Sequence, residues 1–158
     1  MTPTHALARF VVTHQDTALQ SAVTREATRS ILNWMGCAVG ASRHETVERA
    51  LAALGPFSGP RQATVLGRDE RLDIMLAALM NGITSHTFDF DDTHLRTVIH
   101  PSGPVASAIL ALSETQRVTG AEFLHAFILG VEVSCRIGNA VYPSHYDVGW
   151  HITGTTGV

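Results

Sequence analysis

The chain has 158 residues, enough for one ordinary domain, of which 45% are hydrophobic and 16% charged. A chain so rich in core-forming residues and so poor in charge is not disordered. The net charge of −3, with all 11 basic residues arginine and no lysine, leaves no footprint for nucleic acid.

Helical periodicity covers most of the chain. Thr2-Pro3 predicts an N-cap with Pro at the first helical position, opening a short helix to about Val12. A second helix is expected from about Thr17 to Gly40, with Leu19, Val23, Ala27, Ile31, Trp34/Met35 and Ala38 as its apolar stripe. Gly36, Gly40 and Ala41 lower its propensity but allow close helix approach. A third runs from about Glu45 to Leu54 and stops at Gly55-Pro56; residues 57–61 read as a turn. "ATVLG", 63–67, is the one strand-like piece. A fourth helix is expected from about Asp69 to Ser85, with Leu72, Met75/Leu76, Leu79/Met80 and Ile83 on its buried side.

After a polar segment, another helix is expected from about Gly103 to Arg117, with Ser102 as N-cap and Pro104 in its first turn. "TGAE", 119–122, matches the capping box, in which a Thr hydroxyl and a Glu carboxylate satisfy orphan amides reciprocally. The helix it opens runs to about Ala140, with Leu124, Phe127/Ile128, Val131 and Cys135 as its stripe. From Tyr142 the tail reads as polar loop, and "TGTTGV" at its end as the cap and first turn of a further helix, which suggests a truncated chain. With no internal repeat and no linker, the expected fold is one all-α, bundle-like unit with at most one short β piece near Ala63–Gly67.

Cys37 and Cys135 lie in apolar helical runs and read as small buried side chains in a reducing compartment. No CxxC pair offers a thiolate zinc site. The start lacks the pattern of a signal peptide, and no apolar run approaches the ~18 residues that suggest a membrane span. A cytoplasmic protein without membrane or nucleic-acid partners is the expectation.

The polar segment, "SHTFDFDDTHLRTVIHPSG" at 85–103, concentrates the chemistry. If the helix continued, His86, Asp89 and Asp92 would fall at i, i+3 and i+6 near one face, with Asp91 and Thr93 elsewhere. Three uses fit these residue types. A metal site would draw on His86, Asp89, Asp92 or His94, although no HExxH or EF-hand pattern accompanies them. A structural network would cap two helices around a turn. An acid–base pocket would use His to move protons, Thr and turn amides to hold carboxylate oxygens, and Asp to orient His. The residues alone leave all three open.

The extended stretch "NGITSHTFDFDDTHLRTVIHPSG" resembles the signature of the MmgE/PrpD family, which includes 2-methylcitrate dehydratase, cis-aconitate decarboxylase and iminodisuccinate epimerase. The matching elements are Asn81-Gly82, Ser85-His86, Asp89-Phe90-Asp91-Asp92-Thr93 and His100-Pro101-Ser102. "ATVLG" before the motif, "TGAEFLHAFILGVEVSCRIG" after it and "GWHITGTTGV" at the end resemble further family stretches in the same order.

The resemblance implies a lyase or isomerase acting on a small di- or tricarboxylate without a cofactor or metal. It implies His100, His151 and Asp89 as catalytic residues and Thr93, Ser102 and Arg96 as substrate-binding ones, with Asp91, Asp92 and His86 as supporting structure. The apolar helices of a chain that stops at a helix entry are expected to leave apolar surface that self-association covers, as a homodimer or larger species. Two departures stand out. Ile152 replaces the Pro usual in the family. The chain also carries only an amino-terminal portion of the pattern: the second α+β domain and the downstream basic residues that bind a polyanion are absent. The expectation is therefore an incomplete domain with little activity alone. The alternatives are a non-catalytic helical or dimerisation module left by truncation, and a metal-dependent hydrolase using the His/Asp cluster.

Overall fold

The computed structural model describes residues 2–14 and 18–156. Among them are eight α-helices and one two-stranded hairpin, so the fold is mostly helical as expected. Helix α1 spans Pro3–Thr13 and is capped by Thr2, whose hydroxyl accepts from His5 N–H. The expected start of the second helix at Thr17 lies outside the described residues; α2 spans Ser21–Ala41, and Leu19 precedes it. Helix α3, Glu45–Leu54, runs into a 3-10 turn at Gly55–Phe57, where a plain turn was expected.

Strands β1, Ala63–Thr64, and β2, Arg71–Leu72, pair antiparallel. The second strand displaces the expected start of the fourth helix: α4 spans Ile74–His86, not 69–85. Asp73 sets that start. Its carboxylate accepts from the N–H groups of Met75 and Leu76, from Gly59 N–H and from the Ser58 hydroxyl. Those bonds hold its carboxyl below the usual range, that to Leu76 most of all.

The expected stripe holds in part: Leu72 and Met80 are buried, and Leu76 and Ile83 pack against the core. Met75 and Leu79, however, are exposed, at 81% and 49%, and the buried face is completed by Ala77, Asn81, Thr84 and Ser85. The reason is close packing. Helix α4 lies chiefly along α5, Ser102–Ser113, and its small residues permit that approach. Asn81 fastens the hairpin to it, accepting from Leu66 N–H at 2.8 Å and donating to Thr64 O at 2.9 Å.

Ser102 is the first residue of α5 and Pro101 takes the cap, so the expected Ser102 N-cap is displaced by one; the helix also ends at Ser113, short of Arg117. Helix α6, Gly120–Val141, begins with the capping box formed by Thr119 and Glu122. Contrary to the reading of the apolar runs, α6 is long and apolar enough to cross a membrane by length and composition. In this fold it packs on α2, α5 and α8, and Glu132 and Arg136 pair along it. The tail is partly helical: the short helix α7, Ser144–Asp147, lies where loop was expected, and α8, Ile152–Thr156, forms at the expected helix entry, with Thr153 inside it rather than capping it. Gly157 and Val158, the end of the expected helix entry, lie outside the described residues.

Two apolar clusters hold these elements. Val47, Ala63, Val65, Leu72, Ala77, Met80 and Ala111 pack α3, the hairpin, α4 and α5 together. Ala27, Trp34, Ala106 and Phe127 join α2, α5 and α6. Trp34 is 1% exposed, and its indole N–H donates to Ser107 Oγ at 3.2 Å, which satisfies the one polar atom it buries. Cys37 and Cys135 are only partly buried, less than expected, and both are free. Burial pushes both thiols up, which disfavours the reactive thiolate.

The capping box is open to a direct measurement. Thr119→Ala removes the hydroxyl that accepts from Glu122 N–H. It is expected to lower unfolding free energy by about 0.5–2 kcal/mol in chemical denaturation. No loss would mean that the box does not contribute to holding α6.

Candidate active site

The site is built where α4 ends and α5 begins. Helix α4 stops at His86, so the helical spacing of His86, Asp89 and Asp92 does not exist. Asp89 instead adopts a left-handed backbone, φ 55°, a conformation that Asp tolerates better than most residues. This reversal turns Asp91 inward. Asn33 of α2 pins the loop by donating to Phe90 O at 3.1 Å.

Beyond Thr93 the chain closes on itself. His94 N–H donates to Ile99 O at 2.8 Å, and Thr97 and Val98 N–H groups donate back to His94 O. Val98 pays for the tight return with φ 59°, a strained position for a β-branched residue. Ile99 is fully buried against α6, where only a glycine fits: a Cβ on Gly138 would overlap Ile99 Cδ1. His100 is thereby held in one place. Its backbone N–H donates to Thr153 Oγ1 at 3.3 Å, which ties the loop to α8.

The carboxylate that meets the histidines from below is Asp91, not Asp92. Its side chain is 1% exposed. His86 Nδ1 lies 3.0 Å from both its oxygens, and His100 Nδ1 lies 3.5 Å from Oδ1. On the other side of the His100 ring, Asp89 Oδ1 is 3.6 Å from Nε2. Thr93 Oγ1 is 3.5 Å from Nδ1. The His86 and His100 rings are 4.7 Å apart at their centroids. His100 therefore sits between one buried and one exposed carboxylate with a hydroxyl beside it. A neutral imidazole so placed can accept a proton from a bound molecule, and the flanking carboxylates stabilise the cation that forms.

The remaining expected residues fall in different places. Ser102 is fully buried; its hydroxyl donates to Asp92 at 2.6 Å and its N–H donates to the same carboxylate at 3.2 Å. It thus anchors Asp92 at the start of α5 and does not face open space. Arg96 stands exposed on the closed 94–99 loop. His151 is exposed just before α8, with its ring edge-on to Tyr146 at 5.8 Å. Thr153 in α8 bonds the backbone of His100, so His151 belongs to a segment attached to the site, although its ring joins none of the His100 contacts. Ile152 is the buried first residue of α8, a position that Pro also suits, so its replacement of Pro leaves the helix start possible.

Of the metal ligands considered from sequence, Asp92 and His94 are engaged elsewhere, His94 with Thr97 Oγ1 at 2.7 Å. His86, Asp89, Asp91 and His100 each bring one ligand atom within 4.8 Å of the others. Sequence reasoning set Asp91 aside because helical spacing pointed it away. Its one signal was its place at the centre of the acidic run.

Burial pushes the Asp92 carboxyl above its ordinary value, against the pull of the two bonds from Ser102. Its proton is therefore held more tightly in the folded state than in the unfolded one. Its contribution to stability is favourable at acid pH and is lost as pH rises from the ordinary carboxylate value through the raised folded one. Asp92→Asn keeps partners for Ser102 and removes this titration. Denaturation of both proteins between about pH 3.5 and 7 is expected to show the wild-type stability, relative to the variant, falling with pH. A difference that rises with pH would mean that Asp92 is not desolvated.

The model of the MmgE/PrpD N-terminal domain matches residues 5–158. The chain is 35% identical over 125 residues to cis-aconitate decarboxylase of Mus musculus, a match that covers 75% of the chain and 25% of that protein. It is 30% identical over 139 residues to cis-aconitate decarboxylase of Aspergillus terreus, covering 84% and 28%. A cis-aconitate decarboxylase-like protein of Aspergillus oryzae is 26% identical over 156 residues, covering 94% and 32%. The chain thus spans about a quarter to a third of the length of these relatives.

Proposed function

The chain belongs to the MmgE/PrpD family, and from that membership we propose that it carries the histidine half of a lyase or isomerase site for a small polycarboxylate. The observation that carries the proposal is the setting of His100. Two carboxylates and a hydroxyl lie within 3.6 Å of its ring nitrogens. In the proposed reaction a ring nitrogen of His100 takes the proton beside a substrate carboxylate, or returns it. Asp91 holds the ring in place from below. Thr93 donates a hydrogen bond to a substrate oxygen, and Asp89 orients His100 or holds a substrate hydroxyl. His151, from the segment attached through Thr153, is the second acid–base group. Arg96 is the cation of the motif and steers the anionic substrate. The chemistry asks for no organic cofactor. The substrate class follows from the relatives, whose names specify cis-aconitate.

The proposal also divides the work. Removing a proton beside a carboxylate builds negative charge, which needs preorganised cations or amides. Here the 85–103 segment offers Arg96 alone, and the chain has no lysine. Losing one such stabiliser costs about a hundredfold to a thousandfold in rate. The 158 residues alone are therefore expected to bind cis-aconitate weakly and to turn over neither it, 2-methylcitrate nor iminodisuccinate. NMR checks both halves: substrate should shift the signals of Asp89, Thr93 and His100, with no product above background. Robust turnover lost in His100→Ala would overturn the division of labour. Shifts confined to other regions would overturn the site.

Self-association is the partner proposal. Leu32 and Val39 are exposed on α2 at 70% and 50%, and Phe90, at 76%, stands on the loop that Asn33 pins to that helix. Large apolar side chains gathered this way favour a second copy as cover. Sedimentation is expected to show a dimer or larger species, weakened by Leu32→Glu. A monomer at all accessible concentrations would refute it.

A further inference from the structure

We propose that the His86–Asp91–His100 cluster, closed by Asp89, reversibly binds a divalent transition-metal ion of the Zn²⁺ class, and that the bound ion shuts off the proton chemistry of His100. The binding part stands on geometry alone; the regulatory part rests on the function proposed above.

The donor set comes first. Two imidazoles and two carboxylates suit zinc, cobalt or ferrous iron better than magnesium or calcium, which favour all-oxygen shells. The spacing is close to what such an ion needs. Bonds of about 2.0–2.1 Å in a tetrahedral shell place neighbouring ligand atoms about 3.3 Å apart. Here Asp91 Oδ1 lies 3.0 Å from His86 Nδ1. His100 can give an ion only one nitrogen, and it faces a carboxylate on either side, Asp91 at 3.5 Å from Nδ1 or Asp89 at 3.6 Å from Nε2, so the second carboxylate has farther to come. One donor atom from each of the four residues falls within a 4.8 Å span. A contraction of side chains by about an ångström would close the shell, with the widest pair moving most.

Access and rigidity divide suitably. Asp91 is buried and fixed, His100 is 13% exposed, and His86 and Asp89 are open at 46% and 75%. An ion can therefore arrive from solvent onto a prepared carboxylate–imidazole edge, with Asp89 closing last. Two open ligands also make the binding reversible. An imidazole must give up its proton to ligate, so protons compete with the ion and affinity weakens as pH is lowered. The ion also occupies a lone pair of His100. That nitrogen can then no longer take a proton, so metal and proton transfer exclude one another.

The test uses the 158-residue chain and Co²⁺ as the probe, read by the visible ligand-field bands of four-coordinate cobalt. One equivalent should bind saturably, be displaced by Zn²⁺, and bind more weakly at lower pH. His86→Gln should weaken binding about tenfold or more, with helical circular dichroism unchanged; its half-exposed ring makes the folded variant the dependable one. His125→Gln on α6 should change nothing. Asp91→Asn is informative only alongside an unchanged helical spectrum, and His86→Gln decides the case without it. Absence of tetrahedral bands at millimolar Co²⁺, or binding indifferent to His86→Gln, would overturn the proposal. Cobalt binding by a chain with no affinity for polycarboxylates would leave the metal site standing and remove only its regulatory meaning.

Discussion

A single buried carboxylate organises the candidate site of this protein. Asp91 lies beneath two imidazoles, in contact with His86 and within ion-pair range of His100. A charge taken out of water is costly unless partners compensate it. Here the partners come from either side of it along the chain: the last residue of α4 and the loop residue two before α5. The loop between them must therefore fold so that all three side chains meet. The left-handed turn at Asp89, the strained return at Val98 and the Asn33 tether to α2 are the local means. Adjacent Asp92 points the opposite way and serves α5 through Ser102. Two neighbouring carboxylates thus do separate work, one at the site and one at a helix start.

The helical frame supplies rigidity to this arrangement. Close packing of α4 on α5 fixes the distance that the loop must span, and it is possible because Ala77, Thr84, Ser85, Gly103, Ala106 and Ser107 are small and buried. Trp34 locks α2 against α5 from the side, bringing Asn33 to the loop as its sequence neighbour. Helix α6 enters through Gly138, which admits Ile99 and so positions His100 next in the chain. The apolar cores are thus connected to the imidazole by short covalent steps: Trp34 to Asn33, and Ile99 to His100. Side chains held by packing in this way lose little freedom when a substrate or ion arrives.

The electrostatics of the site are one-sided. Acids and imidazoles can move protons or meet a cation, but a di- or tricarboxylate needs positive charge that these residues scarcely provide. The chain spans about a quarter to a third of its relatives' length. In the proposals made above, a metal ion and a polycarboxylate would both call on His100, and so would compete there.

The sequence by itself determined the helices with strong local signals. Thr2-Pro3, the Gly55-Pro56 stop and the Thr119/Glu122 box all act through groups within four residues, so their outcome can be read without the rest of the fold. It also placed His100, Thr93 and Asp89 in one motif, because they are close along the chain. What only the tertiary structure decided was which carboxylate faces which histidine. Helical spacing joined Asp89 and Asp92 to His86 and left Asp91 aside. The actual loop breaks the helix at His86, turns left-handed at Asp89 and presents Asp91. The buried face of α4 was misread in part for a related reason: hydrophobicity favoured Met75 and Leu79, which are exposed, whereas packing against α5 buried small residues beside Met80. Both outcomes depend on contacts with α2, α5 and α6, and a local pattern carries no record of what will lie across from it.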